Sequence, residues 1–356
     1  MRAVDLLPAL VAVPSVSRGE KAIADLLASY LAASGVTVNR AGHNLWFEVG
    51  QGRPRLLLAS HLDTVPACAG WSRDPHVARW DGDRLVGLGA NDAKGCVAAM
   101  TEAALALRAE GATLPGSVVV ALTVEEEVGG QGIATIRPLL GEIDAAVIGE
   151  PTGLEVCVAQ RGLVILRCVA RGRGGHAAHA AQAVNAVHVA AADIGRLAGL
   201  VFGRHPRLGD TTAQVTRIEG GRALNQVPDT CEFFVDLRTV PGITVESIVE
   251  QLRGEIASEV HVNSSRYLPC ATDEAHPVVQ AALAAAGRER GTVSRTTSDW
   301  AFLSDLPAVK AGPGDTTRSH RPDEYITRQE LGDGVAFYRR LVPECLARLA
   351  AVPVKD

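Results

Sequence analysis

Histidine and acidic residues stand where apolar, strand-like segments of this sequence end. His61 and Asp63 follow the apolar run LLLAS, and Asp92 lies between a glycine-rich turn and a helical pattern. Because side chains alternate along a strand, residues one position apart, such as His61 and Asp63, point to the same side. This spacing indicates a cleft in which the three side chains could bind a metal ion.

Further candidates occupy the ends of later strand-like segments and a Gly/Pro loop. They are Glu126, Glu127, Glu150 and His320. Imidazole nitrogen and carboxylate oxygen are suitable zinc ligands, and one carboxylate can bridge two ions. A pair of metal ions ~3.5–4 Å apart can activate a shared water and polarise a carbonyl. A carboxylate outside the ligand set can then accept the proton of that water. The pattern therefore predicts a two-metal hydrolytic site.

Each candidate also has a purely structural interpretation. His61 and Asp63 could form a structural hydrogen bond, and Asp92 could cap a helix. The acidic run 125–127 is typical of a solvated strand end, and His320 in a polar loop could simply be exposed. Recurrence favours the metal site, because the same placement is predicted at the carboxyl edge of successive strands.

The sequence patterns of the elements that must position these residues predict an α/β fold. Helical patterns cover 2–12, 20–34, 94–111, 131–140, 275–287 and 327–350, and strand patterns cover 37–40, 45–49 and 55–60. Buried strands are also predicted where VVVALTV and DAAVIG occur. Strands alternating with helices predict a mixed sheet flanked by helices, with functional groups at strand ends.

The middle of the chain follows a different pattern. Strands are predicted at 163–172, 211–219, 231–239 and 260–268, with helices at 182–199 and 244–257. This β-α-β-β-α-β order is typical of a ferredoxin-like unit. We therefore predict a discontinuous catalytic domain, 1–159 plus 271–356, interrupted by an inserted domain at 160–270.

Composition excludes several function classes. The net charge of −5 argues against nucleic acid or an anionic membrane surface as partner. The seven cysteines are scattered without a C-x-x-C pair, which indicates reduced thiols rather than disulfides or a thiolate zinc site. No apolar run approaches ~20 residues, so no membrane span is predicted. Asp5 interrupts the apolar amino-terminal run, and a cytoplasmic protein is predicted.

Seven motifs together resemble a known family across nearly the whole chain. They are SHLDTVP, GLGANDAKG, TVEEEVGG, IGEPTG, RGRGGHAAH, ALNQVPD and GPGDTTRSHRPDEY. In this order they are similar to the co-catalytic zinc amidohydrolases that include acetylornithine deacetylase, succinyl-diaminopimelate desuccinylase and carboxypeptidase G. The resemblance implies two divalent metal ions, zinc with cobalt or manganese as alternatives. The ligands it implies are His61, Asp92, Glu127, Glu150 and His320.

The resemblance also implies roles around the metals. Asp92 would bridge the two ions, and Glu126 would be the general base. Asp63 would orient His61 and set its tautomer. The family usually has Asp-Glu-Glu where this chain has three glutamates, so Glu125 takes the place of the Asp. A cis peptide bond is expected after Asp92.

In the inserted domain, the resemblance implies a lid that also forms a homodimer. His176 would cross the dimer interface to steady the oxyanion. Asn225 and Arg238 would contact the carboxylate end of the substrate or the tetrahedral intermediate. Arginine suits this task because its planar fork binds a carboxylate at two points.

The implied reaction is hydrolysis of the amide of a small N-acyl amino acid. Within the family, three segments favour acetylornithine-type deacetylation in arginine biosynthesis. They are W-x2-DPH, GLGANDAKG and SHRPDEYI. N-acetylcitrulline, N-succinylornithine, succinyl-diaminopimelate and dipeptides remain alternatives, as does a non-catalytic metal-dependent binding protein. Candidate substrate-pocket residues are Trp71, Ser298, Asp299 and Arg318.

Overall fold

The computed structural model describes residues 2–352 and divides the chain into two compact units. The first unit comprises 1–159, 271–293 and 298–356, and the second comprises 160–270 and 294–297. The boundaries at 160 and 270 are those predicted above. Residues 294–297, which were assigned above to the catalytic domain, group with the second unit. Residues 1 and 353–356, assigned above to the catalytic domain, lie outside the described residues.

The described residues form the following elements. The helices are α1 (Ala3–Val11), α2 (Lys21–Ala33), α3 (Lys94–Ala109), α4 (Gln131–Ile136), α5 (Ala186–Leu197), α6 (Val245–Glu255), α7 (Pro277–Ala286) and α8 (Arg328–Ala350). The strands are β1 (Asn39–Ala41), β2 (Asn44–Gly50), β3 (Arg55–His61), β4 (Arg79–Asp81), β5 (Arg84–Val86), β6 (Ser117–Thr123), β7 (Ala145–Ile148), β8 (Cys157–Gln160), β9 (Gly162–Arg171), β10 (Gly175–His176), β11 (Arg204–His205), β12 (Gly209–Asp210), β13 (Thr212–Gly220), β14 (Gln226–Val227), β15 (Thr230–Thr239), β16 (Glu259–Tyr267), β17 (Cys270–Ala271), β18 (Thr292–Ser294), β19 (Ala308–Lys310) and β20 (Tyr325–Thr327).

The first unit is built around a mixed sheet of order β1-β2-β6-β3-β7-β19-β8-β17, with β18 paired to β8. Its central strands β6, β3, β7 and β19 are parallel, whereas β2 joins β6 in the antiparallel direction. Because these central strands are parallel, their carboxyl ends share one edge of the sheet. That edge is where side chains from separate segments can converge.

Both faces of the central strands are buried, which explains their continuous apolar sequences. In β3, Leu56 and Leu58 belong to the core that includes α1, α3, α7 and α8, while Leu57 is buried on the opposite side. Side chains of one strand alternate between faces, so such a strand needs apolar residues at every position. The sequence pattern VVVALTV in β6 has the same cause.

The second unit contains a four-stranded antiparallel sheet of order β13-β15-β9-β16. In chain order its main elements run β9, α5, β13, β15, α6 and β16. Buried residues alternate strictly along β15, and they pack with residues of α5 and α6 in a separate core. The predicted α/β fold with a ferredoxin-like insertion is therefore confirmed.

Two predicted helices are shorter than expected, for local reasons. The α-helix predicted over 131–140 ends at Ile136 and continues as a tighter turn to Leu139. Pro138 has no backbone N–H, so it cannot donate the α-helical hydrogen bond to the carbonyl of Ala134. Helix α5 begins at Ala186 because the Asn185 side chain accepts a hydrogen bond from the Val187 N–H and caps it. None of the helices described within 2–352 is long and apolar enough to cross a membrane.

Candidate metal centre

Six histidine and acidic side chains of the first unit lie close together. In three overlapping groups, one potential ligand atom from each member lies within 4.8 Å of the others. The groups are His61–Glu126–Glu127, His61–Asp92–Glu150 and Asp92–Glu127–His320. Residues predicted to bind metal from distant parts of the sequence are therefore brought together, and so is Glu126.

Asp92 lies at the centre of this cluster. Its Oδ1 is 3.3 Å from His61 Nε2, and its Oδ2 is 3.7 Å from His320 Nε2. His320 Nε2 is also 3.0 Å from Glu127 Oε1. Each oxygen of the Asp92 carboxylate therefore faces a different histidine, which is the arrangement that a carboxylate shared by two cations requires. The Asp92–Ala93 peptide bond is cis, as expected.

The sheet and its loops explain how these residues meet. His61 is the last residue of β3 and is paired with Thr123, the last residue of the parallel strand β6. Glu126 and Glu127 follow in the next turn, and Glu150 follows β7 on the other side of β3. The shared edge of the parallel strands thus brings together residues separated by up to about ninety positions in the sequence.

The turn that carries Glu126 and Glu127 is held by side chains. The backbone N–H groups of residues 124–127 donate in order to Asn44 Oδ1 (3.2 Å), Glu20 Oε1 (3.1 Å), Asp63 Oδ1 (3.1 Å) and Asp63 Oδ2 (3.1 Å). Asn44 and Glu20 lie in no motif, so the sequence alone does not indicate that they contact this turn. With every one of these donors satisfied, the turn has a defined orientation.

Asp63 therefore has a wider role than orienting an imidazole. His61 Nδ1 lies 3.0 Å from the backbone oxygen of Asp63 and 3.5 Å from its Oδ1. The same carboxylate accepts a hydrogen bond of 2.7 Å from Ser17 Oγ. One fully buried carboxylate thus contacts the imidazole and also holds the acidic turn.

The two histidines are surrounded by negative charge. Burial opposes a charge on His61, yet hydrogen bonds that its imidazole donates to Asp63 and Asp92 raise its pKa well above the usual value. The Glu127 hydrogen bond raises the pKa of His320 to about 9. Burial raises the pKa of Asp92, but hydrogen bonds from His61 and Ser319 outweigh it and leave the pKa lowered. Positive charge is therefore favoured on both sides of Asp92.

At the neighbouring carboxyl groups, burial outweighs the favourable contacts, so their pKa values are raised. Burial raises the pKa of Glu126 well above its usual range. Burial, reinforced by the charge of Asp92, raises the pKa of Glu150 to about 7, and burial raises that of Asp299 to about 7. A cluster of buried carboxylates and imidazoles is unfavourable without cations. The donor set, its spacing and its electrostatics therefore fit divalent metal ions bound by nitrogen and oxygen.

The predicted substrate-pocket residues have other partners in the structure. The Arg318 guanidinium bonds Glu330 at 2.9 Å and lies 4.2 Å from the centre of the Tyr325 ring. Asp299 is only 2% exposed and accepts a hydrogen bond from the Thr123 hydroxyl at 2.9 Å. Arg318 and Asp299 thus have partners within the protein, and their place in a substrate pocket stays a prediction.

The three residues predicted for the lid lie in the second unit. His176 is exposed, and its Nδ1 accepts the Ala178 N–H at 3.2 Å. Asn225 is exposed, and the Arg238 guanidinium bonds the Asp236 carboxylate at 2.8 and 3.2 Å.

Comparison with known proteins identifies the family. A sequence profile of peptidase family M20/M25/M40 matches residues 57–344. The acetylornithine deacetylase of Klebsiella pneumoniae (strain 342) is 30% identical over 364 residues, covering 91% of this chain and 92% of that protein. The chain belongs to the M20/M25/M40 family and is a metal-dependent amide hydrolase.

Solved structures support the fold. The aminopeptidase PepT of Bacillus cereus has a TM-score of 0.81 at 23% identity and covers 97% of this chain and 98% of its own. The YXEP protein of Bacillus subtilis, described as a dinuclear metal-binding peptidase of the M20 family, has a TM-score of 0.77 at 16% identity, with 97% and 98% covered.

Proposed function

We propose that this enzyme hydrolyses the amide of N-acetyl-L-ornithine to L-ornithine and acetate, using two divalent metal ions, with zinc as the first candidate. The observation that carries the two-metal proposal is the Asp92 carboxylate, whose two oxygens face His61 and His320. The similarity to proteins named acetylornithine deacetylase supports the choice of substrate.

The proposed ligands divide into two sets that share Asp92. His61 and Glu150 would hold one ion, and Glu127 and His320 the other, following the geometric groups. When bound, such ions polarise the scissile carbonyl and lower the pKa of a water molecule. The protein's part is to hold the ligands in place and to position a base.

Glu126 is the proposed base. It appears only in the group that lacks Asp92, whereas Glu127 also belongs to a group with Asp92 and bonds His320. Glu126 would accept a proton from the attacking water and deliver it to the leaving amine. Burial raises the pKa of Glu126, which favours its holding the proton between the two transfers.

The roles proposed for the second unit follow from the resemblance. Asn225 and Arg238 would bind the carboxylate end of the substrate, and His176 would steady the oxyanion across a homodimer. The exposure of His176 and Asn225 supports roles that require contact with another molecule. The Asp236 carboxylate holds the Arg238 fork in place, as bidentate recognition requires.

The pathway and compartment are part of the same proposal. Release of ornithine from its acetyl derivative is a step of arginine biosynthesis, which we place in the cytoplasm. All seven cysteines are free, and all but Cys68 are buried. A set of free, mostly buried thiols is consistent with a reducing compartment.

A panel of N-acyl amino acids tests the substrate. Acetate or succinate release is measured from N-acetylornithine, N-acetylcitrulline, N-succinylornithine and succinyl-diaminopimelate, and amine release from dipeptides. Each reaction is run with metal-loaded protein and after chelation. We expect the highest kcat/KM with N-acetylornithine and loss of turnover after chelation. A higher kcat/KM for another substrate would reassign the function, and no turnover at full metal loading would favour a binding protein.

A further inference from the structure

We propose that Glu324 is a positioning residue that fixes the Asp92 loop (87–93) to the His320 loop (311–324) and thereby sets how tightly the centre holds its metal ions. The inference rests on the proposed two-metal function. It assigns a role to a buried acid that is a member of none of the three ligand groups. It follows from hydrogen bonds between side chains of one loop and backbone atoms of the other.

The backbone of Glu324 is held by the small sheet of β4, β5 and β20. Glu324 directly precedes β20, which pairs with β5 immediately before the Asp92 loop begins. The Glu324 backbone oxygen also accepts the Gly87 N–H at 2.9 Å. The end of the His320 loop therefore lies beside the start of the Asp92 loop, and the Glu324 side chain extends from a fixed backbone position.

The Glu324 side chain holds the backbone next to the shared ligand. Its Oε1 accepts the N–H groups of Asn91 and Asp92, each at 2.9 Å. Glu324 is only 2% exposed, and buried N–H groups need an acceptor within the protein. One carboxylate oxygen therefore fixes the two consecutive peptide groups that come just before the Asp92 side chain.

The side chain of Asn91 makes the reverse connection. Its Oδ1 accepts the Asp315 N–H at 2.8 Å, and its Nδ2 donates to the Asp315 backbone oxygen at 3.1 Å. Nδ2 also donates to Ser319 Oγ at 3.4 Å. Asn91 thus attaches an earlier part of the His320 loop to the Asp92 loop, and Glu324 attaches its end.

His320 lies between these two points of attachment. Asp315 is five residues before it and Glu324 is four residues after it, and both contact residues 91–92. Asp92 Oδ2 lies 3.7 Å from His320 Nε2, and the two residues share a ligand group. Because metal–ligand distances are defined to within ~0.2 Å, a shift of one loop relative to the other would disturb coordination.

Asp92 connects Glu324 to both ions. Partners that hold a ligand typically change metal affinity by ~10–100-fold when they are removed. Asp92 belongs to two of the three ligand groups, whereas His320 belongs to one. Loss of the Glu324 carboxylate should therefore weaken the binding of both ions, whereas loss of the His320 imidazole should affect only one.

The deciding experiment is a titration of metal-free protein with Zn²⁺, using a chromophoric competitor. We expect Glu324→Ala to weaken both bound ions by ~10–100-fold. Glu324→Gln keeps an oxygen acceptor at the same position and should recover most of that affinity. The visible spectrum of the Co²⁺-loaded protein, which reports the geometry of the ligands, should change in Glu324→Ala and resemble that of the wild type in Glu324→Gln.

Asp193→Ala is the matched control. Asp193 is also a fully buried carboxylate that accepts two consecutive backbone N–H groups, those of Ala257 at 3.1 Å and Ser258 at 2.8 Å. It lies in the second unit and in none of the ligand groups. Its loss should lower the stability of the metal-free protein, measured by urea unfolding, and leave the affinity for both ions unchanged.

Three results would each overturn the inference: wild-type affinity for both ions in Glu324→Ala, equal weakening in Glu324→Gln, or equal weakening in Asp193→Ala. If circular dichroism shows that metal-free Glu324→Ala is unfolded, Glu324→Asp decides. Its carboxylate is one methylene shorter, so both ions should again be weakened, and wild-type affinity there overturns the inference as well. Failure of the wild type itself to bind two ions would instead overturn the proposed function.

Discussion

At the scale of single residues, the adjacent glutamates Glu126 and Glu127 are proposed to have different roles, one as base and one as metal ligand. The backbone N–H groups of Glu126 and Glu127 donate hydrogen bonds to the same Asp63 carboxylate, each at 3.1 Å, so both are held equally firmly. Their side chains differ, since Glu127 contacts His320 and burial raises the pKa of Glu126 well above its usual range. A ligand and a base can therefore be neighbours in sequence without exchanging roles.

Replacing Glu126 with glutamine separates these roles. We expect Glu126→Gln to lower kcat by ~10²–10⁴ while metal content stays at the wild-type level, because a proton acceptor is lost and no ligand is. Steady-state kinetics and elemental analysis of the same preparation measure both quantities. Glu125→Gln, one residue away, is the control and should keep near-normal activity. Loss of metal in Glu126→Gln would show that Glu126 is a ligand.

His320→Ala should reduce metal content rather than catalysis alone. His320 belongs to only one of the three geometric groups, so we expect one ion to be lost and the other retained. Elemental analysis after dialysis against metal-free buffer measures the stoichiometry. His188→Ala, at an exposed position of α5 and absent from those groups, serves as control. Two tightly bound ions in His320→Ala would remove this residue from the proposed ligand set.

At the scale of elements, the turn after β6 is stabilised by a buried acidic side chain that accepts hydrogen bonds from backbone N–H groups. Glu20, immediately before α2, is almost fully buried and accepts the N–H groups of Arg18 and Glu125. Glu125 has a left-handed backbone with φ of 58°, a conformation that needs support in a non-glycine residue. Glu20 supplies that support, although it lies 105 positions earlier.

Glu20→Ala should therefore destabilise the protein by ~1–3 kcal/mol, because it leaves buried N–H donors unsatisfied. Urea unfolding of the metal-free protein, followed by fluorescence, measures the shift in midpoint. Glu20→Gln keeps a carbonyl acceptor of the same size and should recover most of the stability. If alanine and glutamine shifted the midpoint equally, the acceptor would not be the cause.

At the scale of the whole molecule, buried carboxyl groups should make the free energy of unfolding of the metal-free protein fall as pH rises. Burial raises the pKa values of Glu150, Asp299 and Glu324 to about 7, above those of the unfolded chain. A raised pKa contributes stability that is present below the unfolded value and lost as pH rises through the folded value. His276, whose pKa burial lowers, acts in the opposite direction but is a single group.

We therefore expect the melting temperature of the metal-free protein to decrease between about pH 5 and pH 7. Each ~1 kcal/mol lost corresponds to roughly 2–4 °C. Added Zn²⁺ should raise the melting temperature, and most at the higher pH, because bound cations compensate the ionised carboxylates. Scanning calorimetry with and without chelator measures both trends. A melting temperature that rose over this range without metal would contradict the electrostatic account.

A mixing experiment tests the proposed dimer. If His176 acts on the partner's site, His176→Ala and Glu126→Gln subunits are each inactive alone but form one intact site in a mixed dimer. An equal mixture should then recover about a quarter of wild-type activity, because about half of the dimers are mixed. Refolding the variants together and assaying turnover measures this recovery. No recovery from a mixture shown to contain mixed dimers would mean that His176 acts within its own subunit or not at all.

Much of the fold could be predicted because its signals are local. The period of apolar residues placed α3 and α8 within a few residues, and continuous apolar runs placed β3 and β6. The differences arose where a single residue ends or begins an element, such as Pro138 after α4 and Asn185 before α5. These signals are also local, but they are weaker than the periodicity that surrounds them.

The candidate site was predictable only in part. The sequence by itself determined which residues could bind metal, because histidines and acids recur after apolar strands and match family motifs. It contained no signal that Asn91 bonds Ser319, or that Glu20 bonds the turn at Glu125, since those partners lie 228 and 105 positions apart. Only the tertiary structure decided these pairings, because a buried N–H or hydroxyl bonds the acceptor that packing brings near it, whatever their separation along the chain.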